Sequence, residues 1–430
     1  MTLAKSFSIY TVASFFNKGL MAVLAFFLTN YILPEQNSIL SLYNVFTAMV
    51  LPFVIMGMPA ALPIAHAKMD AKEYRLFFNS SLALSTSCFL LLLILFLLSS
   101  NLVTGFLAVP FRLLLMGVFY TYFILVQENM LAYLRTLNKP VHFLILSAAK
   151  DITEIGLVVL LVIAGGKGAE GRIVASVVAA AIIFAYGLLY FYRQGFIHLQ
   201  VSKKYIKQEF KFGISQIFFL FNVFVLNGAD KFFIHYLYPA DKAGLGIYAL
   251  SFQFAFIINV VVSAFFFSYQ PLLYRHLTQL TDAAKYKLVK IKYLFAAFLL
   301  CCVILLSVSM PLVYRLFINQ QYAPGVPYVA CNAAGFFFWG LYALMLGFLY
   351  YYKKNKLVIA LSVFSTLLCI TTNYFFIKQM GIRGAAYANL LTYCLLFATA
   401  FIVINWVCRL QLPWLQFKKI FARQAVKMHL

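Results

Sequence analysis

The chain has 430 residues, 64% hydrophobic and only 10% charged, with a mean hydropathy of +0.92. Too little polar surface remains to coat a water-soluble globule, so the composition excludes a soluble enzyme or binding module and implies a lipid-embedded chain. The formal net charge of +23 does not indicate nucleic acid, because the basic residues are spread over short loops rather than gathered on one soluble face; anionic lipid is their expected neighbour.

Lipid forces a helix or a closed barrel. Residues 90–98 are apolar at every position, without the alternation of a barrel strand, so the spans are helical. Taken in chain order, apolar stretches long enough to cross about 30 Å of hydrocarbon fall at 8–32, 38–65, 77–98, 111–134, 141–164 and 173–192. A second set follows at 212–236, 245–270, 293–313, 326–350, 357–377 and 385–408. The first stretch is too long for a signal-peptide core and has no small-residue cleavage site, so it is expected to remain as the first span.

Charges inside spans are the informative residues, since each costs roughly 2.5–3.5 kcal/mol at a helix centre. The first span carries Lys18 on a stripe with Thr11, Ser14, Ala22, Ala25 and Thr29, which repeat at helical spacing. No acidic residue lies near Lys18 in its own span, so it requires a partner from another helix, water or an anionic substrate. The fourth span carries Gln127 and Glu128, about two turns from Arg135. The fifth carries Ser147, Lys150, Asp151 and Glu154 within two turns. The seventh carries Asn227, Asp230 and Lys231 towards its outer end. A plainer account has Lys150 and Glu154, at i and i+4, neutralising one another. Ser362, Ser365, Thr366 and Thr372 in the eleventh span fit either a cavity wall or helix packing.

Alternate loops differ sharply in basic content. The side shared by both termini holds 24 Lys and Arg residues against 7 on the other, which places both termini in the cytoplasm. An internal repeat accompanies this topology. Asn17, Pro34 and Tyr43 recur as Asn222, Pro239 and Tyr248; Asp70, Tyr74 and Arg75 as Asp282, Tyr286 and Lys287; Asn138 and Lys139 as Asn355 and Lys356; Gly168 and Gly171 as Gly381 and Gly384. Six spans per half make the repeat parallel. The organisation expected is therefore an N-terminal six-helix lobe at 1–194, a basic cytoplasmic linker at 195–211, a C-terminal six-helix lobe at 212–408 and a basic cytoplasmic tail at 409–430.

Enzyme signals are poor. Gly165-Gly166-Lys167-Gly168 lacks the Ser or Thr that follows the lysine of a phosphate loop, and it falls between spans. The seven cysteines form no spaced pairs and the six histidines no ligand pair, so neither a metal site nor a catalytic residue is expected. Asn79-Ser80-Ser81 matches a glycosylation sequon but lies at a cytoplasmic helix start.

The residues 212–214 through Asp230-Lys231, Gly246-Ile247-Tyr248-Ala249-Leu250, Gln321-Tyr322-Ala323-Pro324 and Gly381-Ile382-Arg383-Gly384-Ala385-Ala386 together resemble the polysaccharide exporter and O-antigen flippase branch of the multidrug/oligosaccharidyl-lipid/polysaccharide (MOP) exporter superfamily. The resemblance covers essentially the whole chain. It departs at Asp230-Lys231, where the family usually has Asp-Arg, and at Asn37-Ser38, where a Gly is usual. It implies an all-α polytopic protein with two parallel pseudo-repeated lobes in a V, working by alternating access in a bacterial inner membrane. The implied substrate is an undecaprenyl-pyrophosphate-linked oligosaccharide, flipped to the periplasmic leaflet for O-antigen, capsule or exopolysaccharide assembly, with a polysaccharide polymerase as a conceivable partner. The alternative within the superfamily is a cation-coupled multidrug extrusion pump. No cofactor is implied; proton or sodium coupling stays open. Substrate contact is expected of Asn17, Lys18, Lys150, Asn222, Asn227 and Lys231, and ion coupling or gating of Glu128, Asp151, Glu154 and Asp230.

Overall fold

The structure is a computed structural model that describes residues 19–20 and 24–407, apart from 199, 279–280 and 353. Asn17 and Lys18, and the tail beyond 407, lie outside the described residues. No strand occurs among those described. A helical stretch at 24–28 precedes α1 (Pro34–Ile55), α2 (Met58–Lys68), α3 (Ala71–Leu98), α4 (Ser100–Leu107), α5 (Phe111–Thr136), α6 (Pro140–Val158), α7 (Gly168–Arg193) and α8 (Lys203–Leu237). Then come α9 (Lys242–Ala255), α10 (Ile257–Thr278), α11 (Asp282–Phe317), α12 (Val326–Tyr351), α13 (Asn355–Met380) and α14 (Ile382–Val407).

Ten segments among the described residues are long and apolar enough to cross a membrane, each overlapping one of the twelve expected spans. The fifth expected span is also present, as α6 continued by a π-helical turn over Val159–Ala164, and it carries three charged residues, Lys150, Asp151 and Glu154. The chain is a multi-pass membrane protein of all-α fold. Leu90, Leu91, Ile94, Leu95 and Leu98 of α3 are all exposed, as side chains facing hydrocarbon can be. Helix α4, between the third and fourth spans, was not expected from sequence.

Local chemistry sets the helix ends. Asp70 caps α3 through the backbone N–H of Glu73 at 2.7 Å, and Thr281 caps α11 through that of Ala284 at 3.2 Å. Pro34 and Pro140 occupy the first turns of α1 and α6, where a missing N–H costs nothing. The second span is broken: Met56 (φ 49°) and Gly57 (φ 73°) are consecutive left-handed residues between α1 and α2.

By contacts the chain divides into Met1–Gly246 and Ile247–Leu430. In the first unit α5 packs on α1, α2 and α7, α7 on α6, and α8 on α1 and α3. Leu24, Leu28 and Ile32 form an apolar core with Val158, Val162 and Ala175. In the second unit α12 packs on α10, α11 and α14, and α14 on α13. The contact boundary therefore falls one helix later than the six-plus-six division by repeat, because α8 buries its inner face on α1 and α3. The stretch 203–211, read from sequence as linker, is the start of α8. Asn79 holds the preceding segment, donating to the carbonyls of His198 (2.5 Å) and Gln200 (2.6 Å), while Ser80 Oγ accepts from the Ser202 N–H at 2.9 Å. The tripeptide that resembles a sequon thus has a structural role.

Candidate functional site

Helix α6 brings Lys150, Asp151 and Glu154 to one side, as their spacing requires, and α7 supplies what the sequence reading missed. Arg172 donates from Nη1 to Glu154 Oε1 and, at 2.9 Å, to Ser176 Oγ. Ser176 Oγ in turn donates to the same Glu154 oxygen at 2.8 Å. Lys150 Nζ lies 2.5 Å from Glu154 Oε2 and 3.5 Å from Asp151 Oδ1. Two cations and two carboxylates thus close a network of zero formal charge, with Glu154 only 3% exposed at its centre. Buried charge is tolerable only when paired and hydrogen-bonded in this way.

Arg172 was counted from sequence among outer-loop charges. It stands one residue before the expected sixth span, and the one available signal was its i,i+4 spacing to Ser176. Two tyrosines complete the surroundings: Tyr43 of α1 and Tyr120 of α5 lie in the electrostatic field of Glu154 and Arg172, and the buried Tyr43 hydroxyl has no hydrogen-bond partner. Glu128 of α5 is within electrostatic reach of Lys150 and Arg135.

A second charged group occupies α8. Asp230 Oδ1 accepts from Lys231 Nζ at 3.0 Å and from the Lys231 backbone N–H at 2.8 Å. Lys231 Nζ also donates to the Asn227 carbonyl at 2.9 Å. The Asn227 side chain donates to the Val223 carbonyl at 2.8 Å, a helix-internal bond. Asn222 is buried on the same helix. The structure therefore joins Lys150, Asp151 and Glu154 in one cluster and Asn227, Asp230 and Lys231 in another.

The second unit has its own polar centre, made of neutral groups. Asn389 Nδ2 donates to Tyr248 OH at 2.9 Å and to Asn332 Oδ1 at 3.2 Å, and Thr372 and Thr392 share a 2.7 Å bond. Tyr248 is the repeat partner of Tyr43, and Asn389 stands at the same offset from Ser176 as Gly381 from Gly168. Gly168 (φ 49°) and Gly381 (φ 65°) share a positive φ at the starts of α7 and α14. The repeat thus places a polar centre at matching helix positions in both units, charged in the first and uncharged in the second. Lys292 of α11, counted from sequence as a loop charge, is instead buried, its Nζ 3.8 Å from the Phe348 ring centroid. No group of three or more His, Cys, Asp or Glu among the described residues is placed to hold a metal ion.

Solved structures of MOP-superfamily transporters share this all-helical membrane fold. An inward-facing multidrug resistance MATE family transporter of the MOP superfamily superposes with a TM-score of 0.73 at 11% identity, covering 94% of both chains. The lipid II flippase MurJ, in an inward closed conformation, gives 0.67 at 14% identity over 92% of this chain and 87% of its own. A point mutant of the Vibrio cholerae MATE transporter VcmN gives 0.59 at 14% identity over 96% and 100%. Comparison with curated protein sequences finds no match. Residues 3–277 match the profile described as polysaccharide biosynthesis protein, and the chain belongs to that family.

Proposed function

We propose that this protein is a flippase. It moves an undecaprenyl-pyrophosphate-linked oligosaccharide from the cytoplasmic to the periplasmic leaflet of a bacterial inner membrane, where the glycan is assembled into O-antigen, capsule or exopolysaccharide. The observation that carries this reading is family membership over 3–277 in a chain whose fold is also that of a lipid II flippase. A sugar pyrophosphate cannot cross hydrocarbon unaided; a protein need only offer a hydrated, partly cationic path and alternate its access. No bond is made or broken, so the protein is read as a transporter and not an enzyme. Both termini are cytoplasmic in this reading. Lys18, Lys150 and Lys231 are its cationic contacts, with Asn17, Asn222 and Asn227 beside them. Glu128, Asp151, Glu154 and Asp230 serve gating or ion coupling.

The likeness to MATE transporters favours one competing reading, extrusion of organic cations. Deleting the gene separates the two: accumulation of a lipid-linked oligosaccharide on the cytoplasmic leaflet is expected, whereas drug sensitivity without accumulation would favour the pump.

A further inference from the structure

Glu209 of α8 belongs to neither charged cluster, yet it is 1% exposed. Its Oε1 is buried without a hydrogen-bond partner, and the residue makes no ion pair among the described residues. It sits on the inner face of α8, one turn after Tyr205, whose ring meets Phe77 of α3 at 5.8 Å, and one turn before Gly213, which abuts the Met56 carbonyl. Gln216 follows on this face, against Gly57. Glu209 therefore stands on the face of α8 that meets the left-handed break between α1 and α2, one turn before the contact. Ser81 of α3, one turn beyond Phe77, is likewise buried with an unpartnered Oγ.

The titratable groups brought to this end by the packed helices are Asp70, Lys72, Glu73, Tyr74 and Arg75 at the start of α3, His66 and Lys68 at the end of α2, and Tyr205 on α8 itself. None of them makes an ion pair with Glu209: Glu73 lies in the electrostatic field of Tyr205, His66 meets the Tyr74 ring, Arg75 faces the Phe196 ring, and Lys68 and Lys72 are exposed. Lys207 and Lys211 on α8 itself are exposed on other faces. An ionised carboxylate needs several donors or a cation to replace water, and here it would have neither. A neutral carboxylic acid meets the same surroundings at far smaller cost.

We propose that Glu209 is a proton-binding site of the transport cycle, protonated while α8 is packed on the Met56–Gly57 break and releasing its proton to cytoplasmic water when that contact opens. The break supplies the hinge, since two left-handed residues interrupt the helix where Gly213 permits the closest approach. The coupling role rests on the flippase reading; proton binding itself does not.

The test uses purified full-length protein in lipid nanodiscs, exposed to a hydrophobic carbodiimide, a reagent for protonated carboxyls in apolar surroundings, with modified peptides mapped by mass spectrometry. Glu209 is expected to be labelled in mildly acidic buffer, with labelling falling about tenfold per pH unit once the proton is lost. Sodium should not protect it, and E209Q should abolish this one adduct. An unlabelled Glu209 in a recovered peptide at every pH, or protection by sodium, would overturn the proton site. Neither result bears on whether lipid-linked oligosaccharide accumulates in the deletion strain, so the two readings fail separately.

Discussion

Arg172, in the first turns of α7, holds Glu154 of α6 across a helix contact, and the same carboxylate also pairs with Lys150. Glu154 thus pairs with two cations at once, and removing its charge leaves Arg172 without an ion-pair partner among the described residues and Lys150 with only the 3.5 Å contact to Asp151. Glu154→Gln is expected to cost about 3–5 kcal/mol of stability, read as a lower unfolding temperature in detergent and reduced membrane abundance. In the double variant E154Q/R172Q the loss should be smaller than the sum of the single losses. Strict additivity would mean that the pair is not energetically coupled.

Asp151 is tied more loosely, with the 3.5 Å contact to Lys150 as its ion pair. Asp151→Asn should therefore leave protein levels near normal while lowering transport, measured by complementation of the deletion strain with quantitative blotting. Full transport by D151N would return Asp151 to simple charge compensation.

Gly246 packs against the Pro34 carbonyl and the Ser38 N–H, and its own carbonyl accepts from Asn37 Nδ2 at 2.7 Å. A Cβ at this position meets rigid backbone. Gly246→Ala should destabilise by about 1–3 kcal/mol and Asn37→Ala by about 0.5–1.5 kcal/mol. Thermal unfolding that ranks Asn37→Ala as the more damaging change would contradict the contact.

Lys18 lies outside the described residues, and its role is tested by charge. If it contacts the anionic part of the substrate, Arg should partly substitute, Ala should impair flipping and Glu should abolish it, because sign reversal in a low-dielectric setting is poorly screened. Rescue of Lys18→Glu by an acid-to-Lys change at Glu128, Asp151 or Glu154, scored by growth complementation, would instead identify an intramolecular pair.

Topology is open to direct measurement. Reporter fusions after Lys139, Lys204 and Lys287 should read cytoplasmic and those after Pro34, Gly168 and Ala240 periplasmic. A periplasmic signal at Lys204, where Lys203, Lys204, Lys207 and Lys211 are all exposed along the start of α8, would invert the arrangement.

Hydropathy was enough to place the second to twelfth spans, the first lying mostly outside the described residues, because a membrane helix must satisfy its backbone internally and show apolar side chains to lipid, a constraint written residue by residue. The proximity of Lys150, Asp151 and Glu154 was equally legible, since i and i+4 neighbours share a face of any helix. What only tertiary structure decided was which charges meet across helices and where the chain bends. Arg172 read as a loop charge until α7 was packed on α6, and Lys292 until α11 was packed on α12. Glu209 sat in a basic, polar stretch with the outward signs of a solvated linker, and only the docking of α8 on α1 and α3 buries it. Burial of a side chain by a neighbouring element depends on long-range packing, which no local spacing encodes; that is why the spans were readable in advance and the proton site was not.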